Sequence, residues 1–234
     1  MPSETPTPFD ARTLPKLTGP SRAPASGGPA RQLVVLLHGV GSNGENLIPL
    51  ADAWRARLPD AAFIAPNGPF PFDIEPMPDA YQWFSISGIT RENRPARVVA
   101  AAPIIESFLD EMLASHGLAN RDLALIGFSQ GTIMSFHLAL TRTPEIAGIV
   151  GYSGRLPDPD GDFSTVAAKP PMLLVHGAAD PVIPIAHLDE AAKKLIPAGV
   201  AVETVVRPGL PHSIDNEGLE RGGDFLARIF GVRP

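Results

Sequence analysis

The chain has 234 residues, enough for one core, and its 44% hydrophobic and 19% charged residues exclude disorder of the chain as a whole. Its 19 Lys and Arg stand against 25 Asp and Glu, and a formal net charge of -6 leaves no cationic surplus for phosphates, so neither nucleic acid nor an anionic membrane surface is an expected partner. With no Cys, disulfides, thiolate metal sites, iron–sulfur clusters and thiol nucleophiles are excluded together, and a covalent enzyme here must use Ser, Thr, Lys or a carboxylate.

Residues 1–29 hold seven of the 27 Pro, with Ser3, Ser21, Ser26 and Gly27-Gly28, and read as an extended, weakly structured arm ahead of a single domain over 30–234. The arm has no apolar run of the length a secretory signal needs and the chain has no Asn-x-Ser/Thr sequon, which points to the cytoplasm. The uninterrupted apolar run 33–37 suits a strand buried on both faces of a parallel sheet, and similar runs recur at 61–65, 123–126, 147–152, 172–175 and 200–206.

Helical spacing lies between them, at 45–57, 94–116, 130–141, 185–196 and 215–229. It is clearest where Val98, Ala101, Ile105, Phe108, Leu109, Met112 and Leu113 form one face. Pro95 fits a first turn, whereas Pro103 is expected to kink or divide that helix. The alternation predicts an α/β class: a mostly parallel twisted sheet with helices on both faces. The segment 66–90 breaks the rhythm with five Pro, yet Phe70, Phe72, Ile74, Met77, Tyr81, Trp83 and Phe84 are too apolar for a solvated linker. It is expected to fold over the sheet edge and line a cleft, with Phe70, Phe72, Trp83 and Phe84 as substrate-binding candidates. The charge-free stretch 123–141 is interrupted by Gly127, Ser129, Gln130, Gly131 and His137 and reads half as strand and half as helix, so no membrane insertion is expected.

Gly127-Phe128-Ser129-Gln130-Gly131 matches Gly-x-Ser-x-Gly at a strand–helix junction. Such a turn lifts a Ser hydroxyl above the sheet, and the hydroxyl becomes nucleophilic when a neutral imidazole, oriented by an acid, takes its proton. In this architecture reacting groups sit beyond the carboxyl ends of parallel strands in the order Ser, acid, His. His212, in the loop after 200–206, is the base candidate. His176 precedes the acid, and His187 lies in a helical pattern. Asp180, after 172–175, is the acid; Asp158, Asp160 and Asp162 belong to a Pro/Gly-rich loop, and Asp215 suits a helix N-cap. Oxyanion donors would be the backbone N–H groups of Gln130 and of Val40, in the loop after 33–37.

That loop also contains a decoy. Gly39-x-Gly41-x-x-Gly44 satisfies a dinucleotide-binding fingerprint, but the acid expected about 20 residues on is missing, because the next strand ends Ile64-Ala65-Pro66-Asn67 and Asp60 stands at its wrong end. An NAD-dependent oxidoreductase is therefore disfavoured and no cofactor is expected. His38 reads as a structural residue bracing the turn. No His-Glu-x-x-His occurs, and no metal is expected.

Taken together, these segments resemble the phospholipase/carboxylesterase family of α/β-hydrolases, which includes bacterial carboxylesterases and acyl-protein thioesterases. The similarity runs from Leu36-Leu37-His38-Gly39-Val40-Gly41-Ser42-Asn43-Gly44 through Ala65-Pro66-Asn67-Gly68-Pro69, Trp83-Phe84, the Ser129 motif and Ser153-Gly154-Arg155-Leu156. It continues through His176-Gly177-x-x-Asp180-Pro181-Val182-Ile183-Pro184 to His212-Ser213-Ile214. The resemblance implies a single-domain, metal-independent serine carboxylesterase with Ser129, His212 and Asp180 as its triad and Val40 and Gln130 as its oxyanion donors. It would cleave small-molecule esters of short to medium chain through an acyl-enzyme. An acyl-protein thioesterase or lysophospholipase with the same triad is the alternative, and homodimerisation stays open. Trp83-Phe84-Ser85 stands where many members read Trp-Phe-Asp, and Val40 where Leu is usual.

Overall fold

The computed structural model describes residues 14–75 and 77–232. Its main sheet is built from β1 (Ser21–Arg22), β2 (Gln32–Leu37), β3 (Ala61–Ile64), β6 (Leu123–Phe128), β7 (Gly148–Tyr152), β8 (Met172–Gly177) and β9 (Val202–Arg207). Two further short strands, β4 (Phe70–Pro71) and β5 (Tyr81–Gln82), pair as an antiparallel ribbon. The main sheet runs in the order β1-β3-β2-β6-β7-β8-β9, parallel throughout except for β1 on β3. The helices are α1 (Gly44–Leu47), α2 (Pro49–Trp54), α3 (Arg94–His116), α4 (Gln130–Thr141), α5 (Ala186–Leu195) and α6 (Asn216–Ile229). Among the described residues no helix is long and apolar enough to cross a membrane.

The alternation of side chains along each strand divides the core in two. Leu33, Val35, Leu37, Leu125, Ile149 and Leu174 face α3, α4 and α5, where Ile105, Leu109, Met134, Phe136 and Leu188 cover them. Val34, Leu36, Phe63, Ile126, Val150 and Val175 face the other way, against Trp54, Phe225 and Leu226 from α2 and α6. Both faces are thus covered, which is why the central strands read as unbroken apolar runs, and the expected α/β class is the one observed.

Three expectations need correcting. The helix expected over 45–57 is two short helices, because Pro49 has no N–H to continue the first and instead opens α2. Conversely, α3 runs undivided across Pro103. Pro103 is exposed, and the carbonyl it leaves without a donor belongs to Val99, itself 58% exposed, on the solvent side of the helix. Residues 14–29 of the expected arm are tied to the sheet edge: β1 pairs with β3, Ala65 N–H donates to Pro20 O, Asn67 N–H donates to Thr18 O, and Leu17 is buried in the core. An edge strand needs few ladder donors, so a Pro-rich segment can serve as one and close off the sheet.

The start of α4 lies against the end of β2 so closely that a Cβ on Gly131 would sit 1.8 Å from Leu37 O. Gly131→Ala should force the helix away from the strand and lower stability by about 1–3 kcal/mol or more. Urea unfolding reads this as a lower midpoint at unchanged slope; an unchanged midpoint would contradict the packing described.

Candidate active site

Ser129 occupies the turn between β6 and α4 with φ 54° and ψ -114°, a left-handed backbone that costs a non-glycine residue on the order of 1–3 kcal/mol. The turn is held by Ser129 N–H donating to Tyr152 O at 3.0 Å and by Ile133 N–H donating to Ser129 O at 3.2 Å. Its tightness needs a glycine before the nucleophile candidate as well as after it, since a Cβ on Gly127 would lie 2.4 Å from Thr132 N. The hydroxyl is not spent on capping α4, and it takes no partner among the described residues.

Asp180 follows β8 in a turn that buries its carboxylate completely. Oδ1 accepts from Val182 N–H and Ile183 N–H, both at 2.9 Å, and Oδ2 pairs with His212 Nδ1 at 2.7 Å. Burial opposes the charge, but the bonds from His212, Ile183 N–H and Val182 N–H outweigh it and hold the carboxyl below its ordinary range. An ionised carboxylate only accepts, so the proton of His212 sits on Nδ1 and the lone pair on Nε2 is left for another group. The imidazole also packs at 4.9 Å, centroid to centroid, against Phe128, the residue preceding Ser129. His176 lies nearby as well, with Nε2 donating to Ile183 O at 2.8 Å and 3.4 Å from Asp180 Oδ2. Burial disfavours its charged form.

The two expected oxyanion donors line the same cavity as Ser129, a hollow of about 180 Å³ that also includes Phe84, Ile86, Ile89, Arg94, Ile133, Arg155, Val182 and Ile183. Neither Val40 N–H nor Gln130 N–H finds a partner among the described residues; the second is one of the orphan donors at the start of α4. The Gln130 side chain has a role the sequence did not disclose. It is buried, with Oε1 accepting from Trp83 N–H at 2.9 Å and Nε2 donating to Phe84 O at 2.7 Å, which pins the segment 66–90 to the nucleophile turn.

Of the four substrate-binding candidates, Phe84 alone lines this cavity. Trp83 is fully buried, its indole N–H donating to His38 O at 2.8 Å, so it is a wedge beneath the site. Phe70 lines a neighbouring hollow of about 370 Å³ that shares Phe84, and Phe72 packs over Gly41. Sequence reasoning missed Arg94 and Arg155 as cavity residues. The latter follows β7 at the same rim and could have been found by the carboxyl-end rule. The dinucleotide fingerprint dissolves into packing: a Cβ on Gly44 would lie 1.8 Å from Ala65 O, so that glycine is demanded by the neighbouring strand.

The phospholipase/carboxylesterase family profile matches residues 22–230. The chain belongs to this family. Esterase YpfH of Escherichia coli strain K12 is 35% identical over 202 residues, covering 85% of this chain and 83% of that protein. Acyl-protein thioesterase 1 of Schizosaccharomyces pombe is 30% identical over 207 residues, covering 85% of this chain and 91% of its own. Among solved structures, esterase PE8 superposes with a TM-score of 0.86 at 36% identity, over 92% of this chain and 99% of that one.

His38 braces the loop that carries Val40, with Nδ1 donating to Gly39 O at 2.7 Å and Nε2 accepting from Gly68 N–H at 2.8 Å. Burial lowers its pKa to about 4. Below the ordinary value of about 6.5 the unfolded chain takes up a proton that the folded one refuses, so stability declines as pH falls from about 6.5 to about 4. At roughly 1.36 kcal/mol per unit this amounts to about 3 kcal/mol by pH 4. His38→Gln, which can still accept from Gly68, should flatten that part of the stability profile when urea midpoints are compared at pH 7 and 4.5. Parallel profiles for the two proteins would refute the assignment.

Proposed function

We propose that this member of the phospholipase/carboxylesterase family, a carboxylic ester hydrolase, acts on short- to medium-chain esters with Ser129 as nucleophile, His212 as base and Asp180 as the acid that orients His212. The observation that supports this most is the 2.7 Å pairing of His212 Nδ1 with the buried Asp180 carboxylate at the rim that carries Ser129. With Nδ1 protonated, Nε2 can take the Ser129 proton as Oγ adds to the ester carbonyl. The oxyanion that forms faces the N–H groups of Val40 and Gln130, strengthened by the N-terminus of α4. Collapse of the intermediate expels the alcohol, which takes the proton from His212, and leaves an acyl group on Ser129. Water then repeats the sequence with His212 again as base, releasing the acid and restoring the hydroxyl. No metal or cofactor enters this scheme.

The cavity of about 180 Å³ at Ser129 is below the roughly 300–1,000 Å³ of ordinary small-molecule sites, which favours short acyl chains. A thioester is the second reading, favoured by the likeness to the thioesterase of Schizosaccharomyces pombe. Turnover of acyl-thioesters set beside p-nitrophenyl esters of equal chain length decides between them.

Ser129→Ala should lower kcat by about 10⁴–10⁶ with melting temperature and circular dichroism retained, and Asp180→Asn should lower it by about 10⁴ through the wrong imidazole tautomer. A fluorophosphonate should label the wild-type protein at Ser129 and leave the Ser129→Ala protein unlabelled. More than a tenth of wild-type esterase activity in Ser129→Ala would overturn the choice of nucleophile.

A further inference from the structure

Two arginines line the cavity that holds Ser129. Arg94 comes from the first turn of α3 and is 8% exposed; Arg155 comes from the loop after β7 and is half-buried. Neither guanidinium makes a hydrogen bond or an ion pair among the described residues. An arginine buried in the fold ordinarily finds acceptors for its donors; here no guanidinium nitrogen of either residue is among the buried atoms that lack a partner, so both heads remain open to the cavity or to water. Arg142, at 7% exposure, shows the ordinary solution: Nε donates to Asn120 at 3.0 Å, Nη1 to Glu106 at 3.1 Å, and Nη2 pairs with Asp110.

Glu190 and Asp180, which act on these arginines, are already engaged. Glu190 is held by His187 at 2.9 Å and by Arg91 at 3.4 Å, Asp160 by Arg91, and Asp180 by His212 and two backbone N–H groups. Burial pushes both arginines below their ordinary basicity; Arg91 further lowers Arg94 and Arg94 lowers Arg155, while Glu190 acts the other way on both, with Glu92 on Arg94 and Asp180 on Arg155, all from beyond ion-pair distance. A guanidinium nonetheless stays cationic at any working pH. Two cations therefore share one small cavity with no counter-charge in contact, while the rest of the wall, including Ile86, Ile89 and Ile133, is apolar.

Building on the proposed hydrolase, we infer that Arg94 and Arg155 form an anion subsite, and that the preferred substrate is an ester carrying a carboxylate or phosphate on the part that enters this cavity. Paired guanidiniums present the forked donor geometry that both anions match. The space beside Ser129, about 180 Å³, equals about six water volumes at roughly 30 Å³ each, which fits a short chain ending in an anionic head. Charge and volume thus select the same class of substrate.

The test compares matched esters. On the acyl side, the p-nitrophenyl hemiester of glutaric acid is set against p-nitrophenyl pentanoate; on the alcohol side, the butyrate ester of 2-hydroxyethyl phosphate is set against that of ethylene glycol. In at least one pair the anionic member should have a kcat/KM ten times or more that of its neutral partner, with the preference shrinking as NaCl is raised. The pair that shows it identifies which anion is taken and on which side. Arg155→Gln should cut the anionic-to-neutral ratio at least tenfold, and Arg155→Lys should restore part of it. Titration of the Ser129→Ala protein with the same esters reads binding without turnover and should rank them alike. A ratio near one in both pairs, or a ratio unmoved by Arg155→Gln, would overturn the subsite while neutral-ester turnover and fluorophosphonate labelling still upheld Ser129. Loss of labelling with anion-selective binding intact would instead overturn the hydrolase reading and keep the subsite.

Discussion

The site depends on one charged hydrogen bond, between the buried carboxylate of Asp180 and His212 Nδ1. A carboxylate with no exposed surface stays ionised here because three donors reach it: two backbone N–H groups on one oxygen, an imidazole N–H on the other. The two backbone donors come from the turn that Asp180 itself begins, so the charge helps to shape the loop that positions it. The bond also links the loop after β8 to the loop after β9. Because these strands are parallel neighbours, both loops leave the sheet at its carboxyl edge, where β6 ends in Ser129.

A second network fixes the other wall. Gln130 holds Trp83 N–H and Phe84 O through its side chain, Trp83 donates to His38 O, and His38 accepts from Gly68 N–H. Four hydrogen bonds thus join the loop after β2, the long segment 66–90 and the start of α4. The segment has almost no secondary structure of its own, yet it cannot drift away from the nucleophile turn without breaking bonds that are buried. Such breakage is expensive, since each group would lose its partner without gaining water. Gln130 thus clamps the wall through its side chain, while its backbone N–H takes no partner among the described residues.

How much of this was readable from the chain depends on whether the signal was local. The strands announced themselves because a doubly covered sheet needs side chains that are apolar in both directions, and Asp215 announced itself as a cap, accepting from Gly218 N–H at 2.8 Å. The tight turn at Ser129 was readable because its two glycines are steric requirements of the turn itself. Trp83 was misjudged because an aromatic in an irregular segment can point into a cleft or into the core, and residue type alone does not distinguish them. Its indole N–H found an acceptor deep in the protein, which favoured the core. Arg94 and Arg155 could not be paired from the sequence, because they lie on different elements and meet only once α3 has packed across the sheet.

Several departures from ordinary folding rules lie at the carboxyl edge of this sheet. Ser129 and Ser153, each directly after a central strand, adopt positive φ, and the buried hydroxyl of Ser153 has no partner. Arg94 and Arg155 carry charge without a contacting acid, although Glu190 acts on both from beyond ion-pair distance, joined by Glu92 at Arg94 and Asp180 at Arg155, and partly offsets their burial. Elsewhere the Arg142 cluster meets its charges internally, while Gln32 Oε1 and Arg55 Nε are buried without a partner. A sequence able to surround one guanidinium with three acceptors leaves two others without a protein partner beside its nucleophile candidate, where a partner can arrive from solution. Two unpaired cations lining one cavity are the pattern expected when a site, rather than the fold, sets the residues.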